Sequence, residues 1–242
     1  GFRDYRGGGR SSARETIGRV AAGAIAEKFL KQLNISVTAY AKSIGPVEVS
    51  PERMDLAEIQ NNRFCLPDAE AAKAAEDYLD QKIAECDSAG GVVECVISGL
   101  PVGLGEPVFE KLDANLAKAI LSIGAVKGFE IGDGFAATKA CGSENNDEFR
   151  MDGDKIVKET NHAGGVLGGI SDGSDVVFRA AFKPTPSIAK SQETVTKDGA
   201  NIDLVIHGRH DPVVVPRAVV VVESMAAITA MDMLLVAMTS RL

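Results

Sequence analysis

Apolar residues at Ile17, Val20, Ala21, Ala24, Ile25, Phe29 and Leu30 recur at the spacing of one helical face, predicting a helix over about 13–33 with that face buried. Residues 35–49 are rich in β-branched side chains with partial alternation, broken at Gly45-Pro46, and read as strands joined by a turn. Residues 50–66 look irregular, with one short helix from Ser50-Pro51. Asp68 is placed to cap a helix over 69–87, rich in Ala, Glu and Lys and stopped by Gly90-Gly91. A strand over 92–98, a helix over 109–123 closing at Gly124, and a short strand at 129–131 follow. From 132 to 175 the periodicity fades and Gly, Asn, Asp and Ser dominate, so a flexible glycine-rich loop region is expected there. Strands at 176–182 and 202–207 and a largely apolar helix over 216–239 complete the pattern. Strands come in groups between helices without strict alternation, which favours a layered α+β fold over a doubly wound sheet. No repeat of about 20–50 residues is evident.

The helix over 13–33 begins in Arg6-Gly7-Gly8-Gly9-Arg10-Ser11-Ser12-Ala13-Arg14-Glu15-Thr16, and this stretch organises the chemistry. Three glycines let the backbone turn tightly and come close to a ligand. Ser12 and Glu15 have the spacing of a capping box. A glycine loop feeding a helix N-terminus offers backbone N–H groups and a positive dipole end to an anion. Arg6, Arg10 and Arg14 surround it as fork-shaped donors for phosphate or carboxylate. The bland reading is a solvated helix start, but arginine in a first turn is disfavoured by the dipole unless an anion compensates. The loop matches neither the P-loop pattern, since no lysine follows the glycines, nor the dinucleotide pattern, since Ser12 stands where a third glycine is needed.

Charge sharpens this picture. The net charge of the 242 residues is −8, yet residues 1–19 carry +3, leaving −11 on the other 223. An arginine cluster on an acidic protein suits a small anionic ligand rather than nucleic acid, which favours a broad basic face. A single Arg-Gly-Gly stretch beside a capping box and a pI near 5.0 likewise argues against an RNA-binding reading. The longest apolar run, 213–238, is interrupted by Arg217, Glu223 and Asp232, and no membrane partner is expected. Four cysteines (Cys65, Cys86, Cys95, Cys141) show neither a C-x-x-C pair nor metal spacing with histidines, so buried reduced thiols and no metal are expected. There is no secretory signal pattern, and a first residue other than Met inside a glycine-rich motif reads as a fragment lacking its upstream part.

Three later stretches could complete an anion site. The run Gly164-Gly165-Val166-Leu167-Gly168-Gly169-Ile170-Ser171-Asp172-Gly173 fits a hairpin or a ligand loop equally. Lys183-Pro184-Thr185-Pro186-Ser187 offers an ammonium and two hydroxyls on a stiff backbone, or simply leaves an edge strand. In Gly208-Arg209-His210-Asp211-Pro212, strand alternation would put Arg209 and Asp211 on one face, an anion binder beside a proton acceptor. His162 and His207 lack companions at ligand spacing and read as structural.

Taken together, the chain resembles the chorismate synthase family. The resemblance rests on the strings at 6–16, 19–26, 127–135, 161–171, 183–187, 208–212 and 215–218, which occur in the family's order across the whole chain. It implies a β-α-β sandwich of antiparallel sheets around a helical layer, as one domain over 1–242, and a homotetramer. It also implies a cytoplasmic lyase of aromatic amino acid biosynthesis. That lyase eliminates phosphate from 5-enolpyruvylshikimate 3-phosphate in an anti-1,4 sense, requires reduced FMN without net redox change, and belongs to chemistry associated with NADP. By motif, the flavin would contact Arg10, Ser11, Ser12, Gly124, Ala125, Gly168, Lys183, Pro184, Thr185, Pro186, Ser187 and Arg209. Arg14 and Arg209 would hold the anionic substrate, and Asp211 would assist proton removal at or near the flavin N5. No flavin-reductase module is visible, so an external reductant is expected. The family's N-terminal segment, with two acid histidines and further arginines, has no counterpart here, and the 242-residue chain alone is expected to be inactive or nearly so. The competing reading is a non-catalytic flavin- or phosphate-binding domain.

Overall fold

The computed structural model describes residues 4–6, 8–206, 208 and 211–240, with Arg10 described without its side chain. In chain order the elements are α1 (Thr16–Gln32), β1 (Ser36–Ile44), β2 (Val47–Glu48), α2 (Ala69–Ala84), β3 (Gly91–Ser98), α3 (Leu112–Leu121) and β4 (Val126–Ile131). There follow α4 (Gly142–Asn145), β5 (Phe149–Asp152), β6 (Lys155–Lys158), β7 (Val166–Leu167), β8 (Ile170–Ser171), β9 (Val176–Phe182), β10 (Gln192–Val195), β11 (Asn201–Leu204) and α5 (Val215–Thr239). Five strands make one sheet in the order β2-β1-β3-β9-β4, and β5–β6, β7–β8 and β10–β11 are separate antiparallel pairs. This is an α+β fold. Within the span expected as one domain, the chain divides into two compact units, Gly1–Ala39 with Glu94–Ala180 and Val219–Leu242, and Tyr40–Val93 with Ala181–Ala218.

In the first unit the strands bury alternate residues: Val176, Phe178 and Ala180 on β9, Cys95 and Ile97 on β3. Leu112, Leu116 and Ile120, one turn apart on α3, are fully buried. Of the predicted face of α1, Leu30 alone is fully buried, beside Gly23 and Ala26 of a neighbouring face, while Ile17 is 72% and Ile25 61% exposed. α1 is apolar around most of its circumference, so periodicity selected the bulkier face. The small residues allow closer approach, and a Cβ on Gly23 would lie 2.3 Å from the Ser224 Cβ of α5. Next to that contact, Glu223 accepts a hydrogen bond from the Ala39 N–H at 2.8 Å, and burial pushes its carboxyl up.

The helix start also differs from the capping box. Two 3₁₀ turns, Gly9–Ser11 and Ala13–Glu15, precede α1, and Ser12 Oγ accepts from the Arg14 N–H at a long 3.4 Å. Glu15 pairs with Arg19 at 2.9 Å instead of reaching back.

The stretch 132–175, expected as a flexible loop, carries a 3₁₀ turn, α4 and two hairpins. Gly168 (φ +63) and Gly169 (φ +91) are the two central residues of the β7–β8 hairpin, a turn that needs positive φ at both. The run forms a hairpin, and its tip at Gly168 is exposed.

In the second unit Asp68 caps α2 as the sequence predicts. It is 1% exposed, accepts from the Glu70 and Ala71 N–H groups at 3.0 and 3.1 Å, and pairs with Arg53 at 3.0 Å. The helix ends at Ala84, ahead of the glycines, because Cys86 takes the left-handed conformation (φ +55). The strand expected over 202–207 ends at Leu204, and α3 begins at Leu112 rather than 109. The thiols are not uniformly buried: Cys95 is, but Cys86 and Cys141 are exposed. Helix α5 is long and apolar enough to cross a membrane (mean hydropathy 2.0), but 56% of that window is buried inside the fold, as in a core helix.

Candidate functional site

The glycine loop is shaped by Gly8 (φ +79) and Gly9 (φ +47), conformations that side chains rarely adopt. The hydroxyl of Ser11 donates to the Gly8 carbonyl, and Gly8 N–H donates to the Asp4 carbonyl at 3.1 Å, closing the turn on itself. The arginines separate by what they touch. Arg19 is committed to Glu15 and to the Ser122 hydroxyl at 2.6 Å, and Arg6 lies over the Tyr5 ring. Arg14 is exposed, and no described residue pairs with its guanidinium. It is the arginine available to an anion. The Arg10 side chain and Arg209 lie outside the described residues.

The Arg19–Ser122 bond ties α1 to the end of α3, two residues before Gly124-Ala125. Ala125 stands in the left-handed region at φ +73, a strain of about 1–2 kcal/mol for a residue with a side chain. Gly124 is exposed with open space beside its Cα, as is Gly168 at the tip of its hairpin. Ser11, Ser12, Arg14, Gly124, Ala125 and Gly168 all belong to the first unit.

The second unit holds Lys183 to Ser187 and Asp211. Lys183, Pro184 and Pro186 are exposed; the Thr185 carbonyl accepts from the Ser88 hydroxyl at 2.7 Å. The Thr185 hydroxyl is buried with no partner among the described residues. A buried, unpaired hydroxyl costs about 1–3 kcal/mol, which a ligand acceptor or donor would relieve. Asp211 is half-buried, and its Oδ1 accepts from Arg217 Nη2 at 2.9 Å, leaving Oδ2 unpaired among the described residues. Since β11 stops at Leu204 and Asp211 lies in irregular chain, strand alternation does not set its direction. Arg217 does.

Sequence reasoning missed the charged network behind the 132–175 stretch. Lys158 and Asp147 are each 2% exposed and pair at 3.2 Å, and Lys158 pairs with Asp172 at 2.7 Å. Burial alone would push the Asp147 carboxyl up; hydrogen bonds from Ala163 N–H, the Thr160 hydroxyl, His162 N–H and Lys158 reverse this and hold it well below the usual carboxylate range. His162 is tied into the same region, its Nδ1 meeting Asp133 Oδ2 at 2.7 Å. These partners lie 11 to 29 residues apart with no periodicity to announce them.

Fold and loop together define an α+β protein with a glycine–arginine turn at the start of a helix. The sequence model of the family described as chorismate synthase matches residues 1–235. The chain belongs to the chorismate synthase family. It is 63% identical over 243 residues to the chorismate synthase of Lachnoclostridium phytofermentans and 64% identical over 242 residues to that of Agathobacter rectalis. Both matches take in 100% of this chain and 66% of the relative, so the chain spans just under two thirds of the length of the curated relatives it matches. A crystal structure of chorismate synthase superposes with a TM-score of 0.79 at 32% identity, covering 94% of this chain and 65% of that one.

Proposed function

We propose that this chain is the body of a chorismate synthase, a carbon–oxygen lyase of the shikimate pathway. It would convert 5-enolpyruvylshikimate 3-phosphate to chorismate and phosphate, with loss of a C–H proton in an anti-1,4 sense. The observation that carries this reading is family membership along the whole chain, with the glycine–arginine loop intact at the head of α1. Reduced FMN, when bound, supplies electron density to the allylic system, with no net redox change.

The described residues fit such a group. The buried Thr185 hydroxyl lacks a partner that a flavin polar atom would provide, and the exposed backbone at Gly124 and Gly168 lets a planar ligand approach. In this reading Arg10, Ser11, Ser12, Gly124, Ala125, Gly168, Lys183, Pro184, Thr185, Pro186, Ser187 and Arg209 hold the flavin. Arg14, unpaired among the described residues, and Arg209 bind the substrate anion and oppose the charge that grows on the departing phosphate. Asp211 assists proton removal at or near the flavin N5 through Oδ2, while Arg217 on Oδ1 fixes the carboxylate. The family reading also carries a homotetramer, an external source of reductant and a cytoplasmic location.

Asp211→Asn, assayed at the family's full length, should slow phosphate release by roughly a hundredfold or more. A titration with oxidised FMN, followed by flavin fluorescence, should find cofactor affinity nearly unchanged. Loss of FMN binding in that variant would overturn the role given to Asp211. Absence of phosphate release from the unaltered protein with reduced FMN would overturn the function itself.

A further inference from the structure

In the first unit, α3, β4 and the turns after β4 line an open cleft of about 680 Å³, a volume within the range of small-molecule sites. None of the residues assigned to flavin or substrate lines it. Two of its walls are aromatic. Phe129 is braced by Phe178, with centroids 5.3 Å apart and planes at 26°, and Phe135 is 75% exposed. So large an apolar side chain held out of the core beside the cleft is a surface that a planar ring would cover.

Among the charged groups in the lining, Glu130 is paired with Arg179 at 3.2 Å, and Asp113 Oδ1 accepts from the Ala114 N–H at 2.9 Å with no cation beside it among the described residues. The basic groups of the lining are Lys111 and His162. The Lys111 stem lies against Gly169, where a Cβ would stand 2.4 Å from the Lys111 Cγ, and its ammonium has no partner among the described residues. The His162 ring is held in place. An ionised carboxylate only accepts, so the Nδ1 proton points to Asp133 Oδ2 at 2.7 Å, and the Asp133 N–H returns to the His162 carbonyl at 2.8 Å. Behind the ring, the His162 and Ala163 N–H groups donate to buried Asp147 at 2.7 and 2.9 Å. A histidine oriented so completely presents its Nε2, which has no partner among the described residues, as a fixed hydrogen-bonding point.

The geometry points to a second binding site, separate from the flavin and substrate residues, for a small aromatic carboxylate bearing a hydroxyl. The ring lies against Phe129 and Phe135, the carboxylate meets Lys111, and the hydroxyl meets Nε2 of His162.

The probe is 4-hydroxybenzoate, titrated into this chain and followed by calorimetry and ligand-observed NMR. It should bind, and 4-hydroxybenzamide, which keeps the ring and the hydroxyl and loses the charge, should bind about tenfold more weakly. Lys111→Met should abolish that difference, Phe135→Ala should weaken both ligands, and His162→Gln should abolish any preference for 4-hydroxybenzoate over benzoate. The comparison with 4-hydroxybenzamide needs no variant, so a poorly folded mutant leaves the test intact. No binding at about 10 mM, enough to fill a millimolar site, would overturn the proposal. So would unchanged affinity in both Lys111→Met and Phe135→Ala, or displacement of the probe by FMN.

Discussion

Lys158→Met is expected to destabilise the protein by about 3–5 kcal/mol, because it leaves two buried carboxylates without their shared cation. Asp147 and Asp172 are almost sealed from solvent, and the ammonium between them is equally buried. Methionine keeps the stem and removes only the charge, so packing does not confound the result. At roughly 2–4 °C per kcal/mol for a chain of this size, thermal unfolding followed by circular dichroism should fall by about 10 °C. The effect has a definite pH sign. Burial opposes ionisation of both carboxyls, yet Lys158 and the N–H groups around them hold both below their ordinary values. Their contribution is therefore full above the unfolded carboxylate value near 4 and is lost as pH falls through the folded values. In the methionine variant protonation relieves the penalty, so the gap between the two proteins should narrow towards about pH 4. Equal melting temperatures at neutral pH would show that the trio does not hold the 145–175 segment.

Gly23→Val should be nearly as damaging, and Gly23→Ala is the more informative substitution. Helix propensity favours alanine over glycine by about 1 kcal/mol inside a helix. Against that, the new Cβ would stand 2.3 Å from the Ser224 Cβ and 2.6 Å from its Cα, and backbone cannot rotate away. Overpacking of this kind costs about 1–3 kcal/mol for one methyl and more for a branched side chain. The movement that relieves it would also draw Glu223 from the Ala39 N–H, stranding a buried donor. A net loss of about 1–2 kcal/mol is expected for alanine and more for valine, measured by urea denaturation. Alanine that stabilises would mean α1 and α5 do not meet there.

These two contacts mark where the sequence was and was not legible. The Asp68 cap could be read because donor and acceptor lie within three residues, and the β1–β2 turn and β9 because their signals are local. The packing face of α1 could not: a helix with apolar residues on most sides has no unique face, and the choice was made by how close Gly23 lets α5 come. Strands β5 and β6 expose nearly all of their residues, so they show no alternation. The Lys158 trio joins residues 11 and 14 positions apart through a hairpin invisible to periodicity. At the site, the loop was readable because its parts are contiguous. The partner of Asp211 was not, since Arg217 lies across the break between irregular chain and helix, where neither period applies.

The graded burial of the cysteines turns this chain into its own gauge of opening. Cys86 and Cys141 face solvent, whereas Cys95 sits inside β3, its thiol pushed well above the ordinary range by burial and then by the charges of Glu223 and Glu94. A thiol reagent should therefore count Cys86 and Cys141 first, the half-buried Cys65 more slowly, and register Cys95 only when the interior of the sheet is breached. Unravelling around Lys158 uncovers no thiol that was hidden, for Cys141 is already outside. Parting α1 from α5 loosens the helix that carries Glu223, and that opening would be timed by Cys95.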